Sequence, residues 1–154
     1  MQSRIAHPVA LFPDAMQALQ ALQALGEVIE NSGLPPRVAQ LVHLRASQMN
    51  GCSTCVYGGV VGLQKAGETT ERLATVVAWR DTKYFDDAER AALALAEAVT
   101  HLNETDPVPD AVWNEATRHF DEKQLAALLL AIASTNVFNR LNVATRMLAG
   151  AWTP

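Results

Sequence analysis

Cys52 and Cys55 are the only two cysteines in this 154-residue chain, and they stand three positions apart in the stretch Cys52-Ser-Thr-Cys55. Random placement of two residues gives that spacing in only about 1% of arrangements, so the pair reads as a motif. The neighbouring residues predict a helix start close to Cys52. Unpaired backbone N–H groups and the positive end of the helix dipole favour a thiolate there. Such placement lowers a thiol pKa from ~8.5 to roughly 3.5–7.5. One helical turn brings the two sulfurs to one face, where one can attack and the other resolve. A peroxide would oxidise the first to a sulfenic acid, and the second would condense with it to a disulfide. Three other readings stay open. Buried cysteines often act as small core hydrophobes. A zinc site needs four ligands, and without a second CxxC or a paired-His motif no metal is expected. A thioredoxin-type module needs strands flanking the motif, and none is predicted. The chain calls for no cofactor.

The elements that must hold this pair read as helices throughout. Ala and Leu dominate, and strand-type alternation is absent. A first helix starts at Pro13-Asp14, with Asp14 as N-cap, and presents Leu19, Leu22, Leu25, Val28 and Ile29 until Gly33. A second runs from about Arg37 to Asn50 on Val38, Leu41, Val42, Leu44 and Met49. Gly51 interrupts, and the third runs from Cys52 to about Ala66. Thr69 or Thr70 caps a fourth through Leu73, Val76, Val77 and Trp79. Asp86 with Glu89 forms an acidic capping box for a fifth, to about Leu102. After the loop Asn103–Val108, Pro109 opens a sixth with Val112, Trp113 and Phe120. Asp121 with Gln124 caps a long seventh, to Gly150. The prediction is one all-α domain, residues 1–154, of about seven helices with the CxxC starting the third.

Two features of these helices stand out. Gly58, Gly59 and Gly62 interrupt the third, each costing roughly 0.5–1 kcal/mol relative to Ala. Gly58 and Gly59 suggest open space beside Cys55, where a larger substrate or a partner thiol could enter. The seventh helix turns polar at Ser134, Thr135, Asn136, Asn139, Arg140 and Asn142. Asn136, Asn139 and Arg140 share one face, which is either solvated or a buried hydrogen-bonding interface.

Composition excludes other classes. A net charge of −4, from 12 basic and 16 acidic residues, without basic clusters argues against nucleic-acid binding. With 49% hydrophobic and 18% charged residues the chain can build a core. The longest apolar run is the nine residues from Leu125 to Ala133, short for a membrane span. No secretory h-region opens the chain, so no membrane association and a cytoplasmic location are expected.

The stretch from Gln40 through His43, Arg45 and Asn50 to Cys52-Ser-Thr-Cys55 resembles the AhpD-like alkylhydroperoxidase branch of the carboxymuconolactone decarboxylase superfamily. The similarity continues through Lys65-Ala-Gly-Glu-Thr, through Trp79-Arg80, Phe85 and Glu89-Arg90, and at Asn136-Val-Phe-Asn-Arg-Leu-Asn142. It covers roughly residues 10–150. The resemblance implies an all-α fold assembled as a trimer or hexamer, and thiol-dependent reduction of a hydroperoxide. It implies that Cys55 attacks the peroxide, Cys52 resolves, and an external dithiol or protein reductant regenerates the pair.

Two positions depart from the family pattern. A Glu twelve residues before the first cysteine and a His four after the second relay a proton there. This chain has Gln40 and Gly59, and neither an amide nor a glycine can act as a base. General-base assistance contributes typically 10²–10⁴-fold. The expectation is a slow peroxidase, or one with a different relay. His43, one turn after Gln40, is the best substitute base, although its ordinary reading is a helix-surface imidazole. Tyr57 would need a strongly shifted pKa. His7, His101 and His119 lack motif context, and Gln48 and Asn50 are suited to orienting the CxxC turn. A non-enzymatic redox-sensing oligomer is the first alternative, and a thiol-independent decarboxylase of the same superfamily the second.

Overall fold

The computed structural model describes Arg4, residues 15–102 and residues 105–150. The expected Asp14 cap, His7 and Asn103 lie outside the described residues. Among the described residues seven α-helices follow one another: α1 (Ala15–Glu30), α2 (Pro36–Met49), α3 (Ser53–Lys65), α4 (Thr70–Thr75), α5 (Asp87–Thr100), α6 (Asp110–His119) and α7 (Glu122–Thr145). Among the described residues there is no strand, and the all-α expectation holds.

Local chemistry sets most boundaries. Asp86 accepts from the Glu89 N–H while the Glu89 carboxylate accepts from the Asp86 N–H, and Asp121 and Gln124 repeat the arrangement at the start of α7. Thr69 caps α4 through the Arg72 N–H. Pro35-Pro36 feeds α2, with Pro36 inside the first turn where its missing N–H costs nothing.

Three expectations change. The fourth helix does not continue through Trp79. It gives way to a 3-10 segment, Val76–Asp81, broken where Ala78 leaves helical geometry. Arg90 holds this segment by donating to the carbonyls of Trp79, Arg80 and Thr82. The seventh helix stops at Thr145, because Arg146 turns left-handed (φ 57°) and the Met147 N–H closes back on the Asn142 carbonyl. On α1, Leu25 and Ile29 reach the core while Val28 is exposed.

α2 is the hub. Val38 and Val42 join Ile29, Leu34, Leu95, Leu128 and Ile132 in one cluster with α1, α5, α6 and α7. Leu41 and Leu44, on its other side, join Leu63, Leu73, Val76, Trp79, Phe85 and Leu93 in a second cluster under α3 and α4. Two ionic groups tie the periphery down. Arg72 binds Glu68 (2.7 Å) and Glu89 (2.8 Å) under the Phe85 ring, with Arg37 beside both carboxylates. Glu97 accepts from Arg45 (2.7 Å), the Trp79 indole (2.8 Å) and Arg80 (2.5 Å). Partial burial alone would raise the Glu97 carboxyl, but these three donors and the Arg45 charge hold it below its ordinary value. The Trp79-Arg80, Phe85 and Glu89-Arg90 segment therefore works as scaffold.

By length and composition α7 is the one described helix apolar enough to cross a membrane, which the nine-residue run did not suggest. Its polar face, however, lies against α2 and α5, as the site shows.

Candidate redox site

The CxxC turn is built from two helix ends that share one residue. Gly51 takes the left-handed conformation (φ 66°) past the end of α2, and the Cys52 N–H donates to the Ser47 carbonyl at 3.0 Å. That closure ends α2. Cys52 is then the N-cap of α3, its carbonyl accepting from the Val56 N–H at 2.9 Å. Glycine at 51 allows the reversal without strain. Cys55 follows one turn later, and the two cysteines are joined as a disulfide. Cys52 is 1% exposed and Cys55 8%, so the second sulfur belongs to the more accessible residue.

The polar stripe on α7 resolves as a buried interface. Asn50, the C-cap of α2, donates to both Asn136 and Asn139 at 2.9 Å each. Asn139, fully buried, donates to Ser47 at 3.0 Å. Asn136 also donates to Thr100, and Arg140 closes over it at 2.9 Å from a more exposed position. The expected face of Asn136, Asn139 and Arg140 therefore points the CxxC turn toward α7. Asn50 orients that turn as expected, whereas Gln48 accepts from Arg45. One turn beyond, Asn142 donates to Cys55 Sγ at 3.3 Å, a contact that sequence reasoning missed. Its spacing of seven from Thr135 and three from Asn139 was the available signal.

His43 is not a helix-surface imidazole. Its Nδ1 lies 3.2 Å from Thr135 Oγ1. The Thr135 hydroxyl donates to the Ala131 carbonyl at 2.8 Å. With the ring proton on Nδ1, that oxygen accepts from it and Nε2 is the basic nitrogen. The other edge of the ring faces α3, where a Cβ on Gly59 would stand 3.3 Å from His43 Cδ2 and 3.7 Å from Nε2. The opening expected beside Cys55 is therefore absent at Gly59: the His43 ring fills it. Burial lowers the His43 pKa below 6.5, and a hydrogen bond with the Cys55 backbone acts in the opposite sense. The ring is neutral at pH 7.

Gln40 and His43 line a cavity of about 220 Å³ between α1 and α2, with Ile29, Leu34, Pro36 and Ala39. Neither cysteine is among its lining residues, so His43 stands between the cavity and α3. Tyr57 and His101 are exposed, and His119 pairs with Glu115 on α6. The site thus brings together Cys52, Cys55 and His43, with Gln40 at its edge. Among the described residues no cluster of three or more His, Cys, Asp or Glu could hold a metal ion.

The comparisons with known proteins agree with this architecture. The model of the carboxymuconolactone decarboxylase family matches residues 13–98. The uncharacterised protein YdfG of Bacillus subtilis is 30% identical over 136 residues, 88% of this chain and 92% of that protein. Among solved structures, ATU0492 from Agrobacterium tumefaciens superposes with a TM-score of 0.87 at 30% identity, covering 98% of this chain and all of that one. ATU0492 is a protein of unknown function assigned provisionally to AhpD antioxidant defence. The debrominase Bmp8 shares the fold at 20% identity, with a TM-score of 0.76 over 89% of this chain and 75% of its own. With the CxxC at the head of its third helix, the chain belongs to the carboxymuconolactone decarboxylase family as an AhpD-like member.

Proposed function

We propose that the chain reduces hydroperoxides with the Cys52–Cys55 couple, and that His43 serves as the base in place of the family's Glu and His. The observation that carries this reading is a CxxC disulfide at a helix start, whose second cysteine neighbours a buried, neutral imidazole. In the reduced protein, His43 Nε2 takes the Cys55 thiol proton, directly or through one water. The Cys55 thiolate attacks the outer peroxide oxygen, the O–O bond breaks, and the alkoxide leaves as an alcohol after taking a proton. The Cys55 sulfenic acid is then attacked by the Cys52 sulfur, which expels water and forms the disulfide. One hydroperoxide and two thiols become one alcohol, one water and one disulfide. An external dithiol or a protein reductant returns both hydrogens, which places the cycle in a reducing compartment such as the cytoplasm. Gln40 carries no proton in this scheme and serves only at the cavity beside His43.

Hydroperoxide consumption with a dithiol reductant tests the proposal in wild type, Cys52→Ser and Cys55→Ser. Turnover is expected in wild type and lost in Cys55→Ser. Wild-type consumption by Cys55→Ser would overturn the assignment.

Assembly is proposed on a separate observation. Leu130, Val137 and Leu141 stand 37%, 43% and 44% exposed along one stripe of α7. An apolar stripe of this spacing suits packing against a second copy, and the family resemblance makes a trimer or hexamer the expected form.

A further inference from the structure

Asn142 is the polar side chain that α7 brings to a reacting sulfur. Its amide Nδ2 donates to Cys55 Sγ at 3.3 Å, and no part of the proton relay uses it. Several contacts fix its place. Asn139, three residues earlier, is locked to Ser47 and Asn50. The Asn142 carbonyl accepts from the Met147 N–H at 2.9 Å. Beyond that reversal the Ala149 N–H donates to the Ser53 hydroxyl at 3.2 Å, so the chain after α7 folds back onto the CxxC itself. The amide is held against Cys55 from both sides in sequence.

A disulfide sulfur is a weak acceptor, whereas a thiolate is a strong one, because hydrogen bonds to charged partners are roughly twice as strong as neutral ones. The Asn142–Cys55 contact therefore gains strength when the disulfide opens and Cys55 carries the charge. Among the described residues no equivalent side-chain donor meets Cys52, which is held through its backbone N–H and carbonyl.

We propose that Asn142 is a thiolate-stabilising residue that makes Cys55, rather than Cys52, the acidic thiol of the couple. It does so by donating one amide hydrogen to the Cys55 sulfur in the reduced protein. Two consequences follow from the same preference. Cys55 ionises at lower pH than it would without the amide. The Cys52–Cys55 disulfide is also easier to reduce, since the dithiol form is the one stabilised. This inference rests on the reading of Cys55 as the reactive thiol, yet its test needs no peroxide. A chain that fails to reduce peroxide can therefore still bear it out or contradict it.

The experiment is a pH titration of iodoacetamide alkylation at Cys55, in the reduced Cys52→Ser protein with Asn142 intact and as Asn142→Leu. Removing the donor should raise the apparent Cys55 pKa by about one unit, a tenfold loss of thiolate at pH well below it. In the two-cysteine protein the same tenfold change corresponds to a potential about 30 mV more reducing in a glutathione buffer. Asn142→Asp, close to isosteric, keeps the shape and replaces the donor with an anion, so it should raise the Cys55 pKa further than Asn142→Leu does. It also supplies the test if the leucine variant fails to fold. Circular dichroism melting checks that each variant is folded, and a purely structural role would shift melting while leaving pKa and potential in place. An unchanged Cys55 pKa in a folded Asn142→Leu or Asn142→Asp protein would overturn the proposal.

Discussion

At the scale of single residues, the site turns on two side chains that only make sense together. A glycine at position 59 costs helix stability, and an imidazole at position 43 costs burial. The His43 ring lies against the α3 backbone because Gly59 has no Cβ to exclude it. Restoring a methyl at Gly59→Ala forces the ring away by a few tenths of an ångström, so peroxide consumption should fall while the fold persists. His43→Gln should lower the rate by about 10²-fold or more, the usual worth of a general base, and kcat measured against pH would show it. Pairing His43→Ala with Gly59→His returns an imidazole from α3, where the family pattern places it, and should recover part of the lost rate.

The same depressed His43 pKa sets a direction for stability. The unfolded chain binds a proton at His43 near 6.5, and the folded chain does so only at lower pH. Between those values the unfolded state holds more protons, so stability is full above about pH 6.5 and declines as pH falls through the folded pKa. Urea midpoints of the oxidised protein from pH 7.5 to 5 should fall. In His43→Gln that part of the decline should be absent.

At the scale of elements, α7 and α2 form one unit through buried amides. Asn139→Leu would remove the amide that donates to Ser47 and would leave Asn50 bonded to Asn136 alone. Unmade buried hydrogen bonds cost about 1–3 kcal/mol each, and denaturant unfolding should show a loss in that range. The end of α7 offers the opposite change. Arg146 is the one described non-glycine residue with positive φ, and a left-handed residue with a Cβ is disfavoured by roughly 1–2 kcal/mol. Arg146→Gly should raise the melting temperature by a few degrees in a domain of this size.

What could be read before the structure follows the range of the interaction. The capping boxes at Asp86/Glu89 and Asp121/Gln124, the Gly33 and Gly51 stops and the helix start at Cys52 depend on neighbours within five residues. All of them appear in the fold. The break at Ala78 and the early stop at Arg146 depend on what the chain packs against next. The stripe of Asn136 and Asn139 stayed ambiguous between solvent and interface because Asn50, its partner, lies 86 and 89 residues away. His43 read as a surface residue because its burial depends on an absent side chain sixteen positions along on another helix. Glycines in the third helix signalled room, but the occupant could not be named from sequence.

At the scale of the whole molecule, the site lies on one side of α7 and an unburied apolar stripe on another. If that stripe is covered by a second copy, Val137→Glu or Leu141→Glu should reduce the sedimentation coefficient at micromolar concentration. The exposed monomer positions would otherwise tolerate the charge with little change in stability. Because Asn142 links Cys55 to the last turn of α7, opening the disulfide alters a contact on the helix that bears the stripe. Native mass measurements in oxidised and reduced buffers would read any change in assembly with redox state.

In the proposed cycle Cys55 is the sulfur that meets the peroxide. The most direct measurement is to treat reduced Cys52→Ser protein with one equivalent of hydroperoxide and a sulfenic-acid trap, then locate the adduct by peptide mass spectrometry. A trapped sulfenic acid is expected on Cys55, with little oxidation of Cys52 in the reciprocal Cys55→Ser protein. An unmodified Cys55, with Cys52 oxidised at the faster rate in the reciprocal variant, would contradict it.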